Sequence, residues 1–143
     1  MAYNFFSPKP GRLGVHPTLL TTGRINTGTL AAGTVTHNVG GFPAKSYINR
    51  ATACAEVFPT AGTSCELTLV KMTGATAVPL TSALSVNAAT ANVPLQFVFL
   101  TTTTDAQRTL ASGDSLRISM VTAGSVTVQP DDLTVNVELL VLE

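Results

Sequence analysis

The side chains able to do chemistry are few and scattered. Two histidines, His16 and His37, two cysteines, Cys54 and Cys65, and eight carboxylates are spread over 143 residues. His16 falls in a Pro- and Gly-rich opening segment and His37 in a Thr-Val-Thr-His pattern. Neither stands near another His, Cys or carboxylate at metal-ligand spacing, so both read as solvated or hydrogen-bonded side chains. Asp131-Asp132 follows Pro130. Adjacent acids hold Ca²⁺ only when further oxygen ligands join them, and a turn start is the simpler reading. Asp114, in Ser-Gly-Asp-Ser, reads as a turn residue that bonds its own backbone. No Gly-x-Ser-x-Gly elbow, P-loop or dinucleotide fingerprint is present. These residues give no ground for an enzyme, and no cofactor, metal or small-molecule substrate is expected.

The cysteines bracket turn chemistry at Pro59-Thr60-Ala61-Gly62. A hairpin there would bring them together. Alternation argues against a bond, because Ala51, Ala53, Ala55 and Val57 share one face of the first strand while Cys65, Leu67 and Leu69 share one face of the second. If those faces coincide, Cys65 points inward and Cys54 outward. A disulfide needs both Cβ atoms on one side, about 3.8 Å apart. Two free thiols are expected, which fits assembly in a reducing cytosol; a one-residue bulge would reverse the reading.

Composition sets the class. Charged residues make up 11% of the chain, eight of each sign for a net charge of zero, while threonine fills 23 positions. A soluble domain is ordinarily roughly 25% charged, and a small free monomer carries a net charge of about 2–8. A Thr/Ser/Ala/Asn surface suits a protein packed against copies of itself or against a larger assembly. The scattered Lys and Arg exclude the clustered cations that drive nucleic-acid binding. No apolar run reaches the roughly 18–20 residues of a membrane helix, and the opening ten residues lack the pattern of a secretory signal. With no Trp and two Tyr, ring stacking on sugars is disfavoured.

The elements that must position these residues read as strands. Leu133, Val135, Val137, Leu139 and Val141 alternate with Thr134, Asn136 and Glu138, the period of a half-buried strand. Leu116, Ile118 and Met120 alternate with Arg117 and Ser119; Cys65, Leu67 and Leu69 alternate with Glu66 and Thr68. Residues 93–100 are denser, with Val93, Leu95, Phe97 and Phe99 on one face and Val98 and Leu100 on the other, so both faces are expected to be covered. Weaker strands fall near 29–39, 46–58, 77–86 and 125–129. Thr73-Gly74-Ala75, Ser112-Gly113-Asp114, Ala123-Gly124 and Pro130-Asp131-Asp132 supply turns. Only Ser82–Ala91 offers room for a helical turn, and its composition argues against one; the run Thr101–Thr104 is placed at a strand end entering a loop. About eight short strands at this spacing predict an all-β, antiparallel sandwich of jelly-roll type. Its expected core is Leu67, Leu69, Leu95, Phe97, Phe99, Leu116, Ile118, Val135, Val137 and Leu139.

Residues 1–23 differ from the body, 24–143. They hold Pro8, Pro10 and Pro17, three glycines, and Tyr3, Phe5 and Phe6 within four positions. No strand or helix period runs through them, and repeated Pro biases the backbone toward extension. The segment reads as an extended N-terminal arm, with a first strand that tucks back onto the body as the alternative.

The body resembles the small β-sandwich decoration, or cement, proteins on the heads of tailed bacteriophages. The likeness is carried by the arm, the Thr/Ala/Val-rich body, the Leu-Ala-Ser-Gly-Asp-Ser-Leu-Arg-Ile-Ser segment (110–119) and the closing Asp-Leu-Thr-Val-Asn-Val-Glu-Leu strand (132–139). The resemblance implies a jelly roll, a homotrimer on the outer capsid surface, synthesis in the host cytoplasm, and contacts that cement neighbouring major capsid subunits. Tyr3, Phe5 and Phe6 would then fill apolar pockets on the shell, with Arg12 and Arg24 pairing with acidic rim groups. A trimeric receptor-binding or fibre-head module of a virion is the alternative. A bacterial surface or matrix protein is a further class, and it would carry an export signal.

Overall fold

A computed structural model describes residues 15–21, 33–41, 45–58, 64–87, 89–123 and 132–142. These residues form ten strands and one short helix. The strands are β1 (Val15–Thr21), β2 (Gly33–Gly41), β3 (Ser46–Cys54), β4 (Ser64–Thr73), β5 (Thr76–Pro79), β6 (Leu84–Ser85), β7 (Leu95–Gln96), β8 (Thr109–Leu110), β9 (Ser115–Ala123) and β10 (Thr134–Leu142), with α1 (Asp105–Arg108) before β8. One sheet runs β1-β10-β3-β7, with β8 also on β3; the other runs β2-β9-β4-β5, with β6 also on β4. Every pairing is antiparallel. The chain crosses from sheet to sheet between β1 and β2, β2 and β3, β3 and β4, β6 and β7, β8 and β9, and β9 and β10. That winding is a jelly roll, so the fold is the all-β sandwich that the alternation predicts.

The core lies between the sheets and is built from the inward parity of each long strand. Ile48, Ala51 and Ala53 from β3, Cys65, Leu67 and Leu69 from β4, Leu116, Ile118 and Met120 from β9, and Val135, Val137 and Leu139 from β10 are buried together. Alanines on β3 stand beside Phe97, whose N–H donates to the Ala51 carbonyl and which is 1% exposed. Of the ten core residues expected from sequence, Leu95 and Phe99 are only partly buried and flank the cluster. The β4–β5 hairpin turns on Gly74, whose φ of 59° is left-handed, a conformation that costs an L side chain and suits glycine.

Four expectations change. The first is the boundary at residue 23: Val15–Thr21 is a strand paired along its length with β10, so the sandwich includes residues 15–21; residues 1–14 lie outside the described set. Pro17 hid this strand. It is tolerated because β1 is the edge of its sheet, where a missing N–H breaks no ladder. The second is the segment 93–100, which forms regular strand only at Leu95–Gln96, with a single bridge from Phe99 to Thr81. Its two faces are not both covered, since Val93 and Val98 are exposed; Phe97 alone plunges into the core. Third, Val57 lies beyond the end of β3 and is exposed, while Phe58 takes the buried place. Fourth, the helical turn falls at Asp105–Arg108, not within 82–91. Thr104 caps it: its hydroxyl accepts from the Gln107 N–H, and the Gln107 side chain accepts from the Thr104 N–H. This is a Thr-x-x-Gln capping box, which closes the threonine run. The weak strand expected at 125–129 lies outside the described residues.

Candidate interaction surfaces and the clamps behind them

Tyr3, Phe5, Phe6, Arg12 and Arg24 lie outside the described residues, as does Asp131. His16 sits in β1 opposite Val141. His37 lies in β2 on the inward parity, and its Nε2 is buried with no hydrogen-bond partner among the described residues. Among the described residues no three His, Cys, Asp or Glu side chains gather in a way that could hold a metal ion. No helix among them is long and apolar enough to cross a membrane.

The two thiols are free, Cys65 buried and Cys54 half-buried. They belong to different sheets, so the segment between them crosses the sandwich and is not a hairpin. Burial first, then the Glu66 charge, pushes the Cys65 thiol up to about 11. The native protein should therefore react with a thiol reagent at Cys54 alone, with Cys65 modified only after denaturation. Rapid modification of both without denaturant, or a mass showing an internal disulfide, would contradict this placement.

Cys54 lines an open pocket of about 170 Å³ with Ala55, Glu56, Asn92, Asp132 and Thr134. Asn92 and Asp132 both take positive φ, 59° and 50°, as Asn and Asp tolerate better than other residues. The volume falls below the roughly 300–1,000 Å³ of ligand sites, and no imidazole lines it to activate the thiol. It is a surface dent between loops.

Two polar clamps hold the loops at the other end of the sandwich. In the first, Lys71 reaches from β4 to Asp114 at 3.0 Å, with side chains 13% and 6% exposed, and donates to the Thr109 carbonyl at 2.6 Å. Asp114 also accepts from the Thr73 hydroxyl at 2.8 Å and the Ala111 N–H at 2.8 Å. Burial alone would raise its pKa, but the Ala111 N–H, the Thr73 hydroxyl and Lys71 outweigh it and hold the carboxyl below the usual range. The turn reading of Asp114 is thus half of its role; the other half ties β4 to the turn between β8 and β9, while Lys71 carries the tie on to β8.

In the second clamp, Arg108 at the end of α1 donates to the carbonyls of Ile48, at 3.0 and 2.7 Å, and Asn49, at 2.9 Å. These carbonyls sit where the β3–β10 register shifts, a place where the ladder leaves groups unpaired. The guanidinium lies 4.0 Å from the Phe99 ring centroid and 4.7 Å from that of Tyr47. The Tyr47 hydroxyl donates to Asp105 at 3.0 Å; burial and that bond push the phenol up, against the opposing Arg108 charge. A lysine cannot reproduce this planar, forked contact. Arg108→Lys should cost about 1.5–3 kcal/mol, the range for hydrogen bonds to charged groups, read as a lower urea midpoint. An unchanged midpoint would show that the stack contributes nothing.

The outer faces of the sheets differ. On the β1-β10-β3 side, charges are paired locally: Glu138 takes Arg50 at 3.2 Å and also accepts from the Asn49 amide, and the Thr21 hydroxyl donates to Asn136 at 2.8 Å. On the β2-β9-β4 side, cross-strand register sets Thr34, Thr36 and Asn38 beside Val121, Ser119 and Arg117, and these beside Glu66, Thr68 and Val70. Val121 is 43% exposed. The central charges of this broad face are Glu66 and Arg117, and Arg117 is turned to Asn38 at 3.1 Å. No local motif could have revealed this surface, because it is assembled from three strands distant in sequence.

No protein-family model and no curated protein matches the chain. Among solved structures, the chain is similar to one from "Structure of infectious bursal disease virus Gx strain", with a TM-score of 0.44 and 13% identity over 91% of this chain and 32% of that chain. This chain spans about a third of that viral chain's length. So weak a likeness says nothing of what this chain binds or builds, and membership of the bacteriophage decoration proteins is not shown.

Proposed function

We propose that this chain is a structural protein of a virion, held on the outside of a bacteriophage capsid as a homotrimer that cements neighbouring major capsid subunits. The observation that carries the reading is the β2-β9-β4 outer face, a broad Thr/Ser/Val surface with Glu66 and Arg117 as its central charges. Desolvating hydroxyls and methyls costs far less than desolvating unpaired charges, so such a face suits a permanent contact. The charge-poor composition, with a net charge of zero, supports the same role. Tyr3, Phe5 and Phe6 serve as aromatic anchors into the shell, where aromatics supply much of an interface's affinity. A segment of fourteen residues ahead of β1 reaches at most roughly 46–50 Å, enough to cross a subunit boundary.

Removal of residues 2–14 tests the anchor. The truncated protein should keep its oligomeric state and melting temperature while binding to capsids stripped of the protein falls at least tenfold. Undiminished decoration by the truncated chain would move the contact to the sandwich. Binding to host cells instead of capsids would replace cementing with an attachment role.

A further inference from the structure

Among the described residues six strands border the two sheets, β1, β7 and β8 on one and β2, β5 and β6 on the other, and all but β2 are blunted. β1 carries Pro17 in mid-strand, β5 is four residues long and ends on Pro79, and β6, β7 and β8 are two residues long each. Proline, shortness, charge and bulges are devices by which native edges avoid pairing with other chains. β2 has only a register shift, near its end. It runs nine residues as Gly-Thr-Val-Thr-His-Asn-Val-Gly-Gly, without Pro, Lys, Arg, Asp or Glu. Among the described residues it pairs on one side only, with β9. The register shift between Asn38 and Gly40 confines the regular edge to Gly33–Asn38. Val35 lies opposite the fully buried Met120, on the inward parity, yet is 36% exposed, so an inward-parity side chain is left uncovered at this edge.

We infer that β2 of one copy pairs antiparallel with β2 of a second copy, joining their sheets across a twofold axis. Symmetry selects this occupant. A cyclic trimer joined through strand edges would have to match β2 with a different edge of its neighbour, and the others are blunted. A twofold contact matches an edge with itself. Antiparallel self-pairing places threonines and asparagine against one another on the outer face, and Val35 and His37 on the inner one. It sets no carboxylate, lysine or arginine opposite its own kind, and Thr–Thr pairs across strands are favourable. The new ladder satisfies the outward N–H and C=O groups of Gly33–Asn38 and covers Val35. This contact is separate from the trimer contact and would link two trimers.

The test is sedimentation velocity of the full chain and of Thr36→Lys, with Thr68→Lys on the central strand β4 as the control for charge on the same face. A nitroxide at position 36, introduced as Thr36→Cys in a Cys54→Ser background, reports the distance between copies. The wild type and Thr68→Lys should show an association with twofold stoichiometry, with the two nitroxides within about 20 Å, a few strand spacings. Thr36→Lys should weaken that association at least tenfold while keeping its β-sheet spectrum. Equal association of Thr36→Lys, loss of association in Thr68→Lys as well, a wild type that never exceeds a trimer, or nitroxides that show no partner would each overturn the pairing. The last two results would mean that this edge is covered within its own chain or by the shell. Capsid binding is read separately, on the wild type, so its failure would count against the cementing role and not against the strand pairing.

Discussion

Asp114→Ala is expected to destabilise the fold by about 3–5 kcal/mol, the cost of breaking a buried ion pair by removing one partner. The carboxylate is 6% exposed and holds three donors at once: Lys71, Thr73 and the Ala111 N–H. Its loss leaves the Lys71 ammonium, 13% exposed, with a carbonyl as its remaining partner and frees the turn before β9. The effect carries a pH signature. The native carboxyl titrates below its ordinary range, so its contribution is complete above the unfolded-state value, near pH 4. It is lost as pH falls through the lower native value. The gap between wild type and Asp114→Ala in urea melts should therefore be full at neutral pH and close under strong acid. A gap that is small at pH 7, or that persists unchanged below both values, would show that the clamp does not hold the loops.

Phe97→Ala should cost a similar amount, about 3–5 kcal/mol, by a different route. The ring is 1% exposed and comes from a segment with only two residues of regular pairing, Thr52↔Gln96 and Ala53↔Leu95. The side chain therefore does much of the work of fastening this edge of the sheet to the core, together with the Phe97 N–H, which donates to Ala51 at 3.0 Å. The urea midpoint should fall without a change in slope, since the surface exposed on unfolding is nearly unchanged. Val98→Ala, at a side chain 65% exposed, should sit within about 0.5 kcal/mol of wild type. Equal losses at the two positions would contradict the burial pattern.

The sandwich was legible where one face of a strand meets the core and the other meets solvent. β4, β9 and β10 announce themselves by alternation, and the same parity places Cys65 inside and Cys54 outside. Legibility failed where tertiary context overrides local pattern. β1 has a proline and no alternation, and it is a strand because β10 offers a partner along its length. Residues 93–100 are apolar but for Gln96, which suggests burial on both sides, yet Val98 lies in solvent. The clamps were invisible for another reason. Arg108 meets Ile48 across 60 positions and Asp114 meets Thr73 across 41, distances at which no spacing rule operates. The capping box at Thr104 had a local signature, Thr-x-x-Gln, obscured by the threonine run before it. The arm residues carry the functional expectation through composition alone.

An electron cryo-microscopy map of the particle that carries this chain tests the cementing role most directly. The account predicts a jelly-roll density on the outer surface of the shell, in threefold clusters astride the boundaries between major capsid subunits, with Tyr3, Phe5 and Phe6 seated in the shell. Density confined to a tail or fibre, or to the inner surface of the shell, would contradict it.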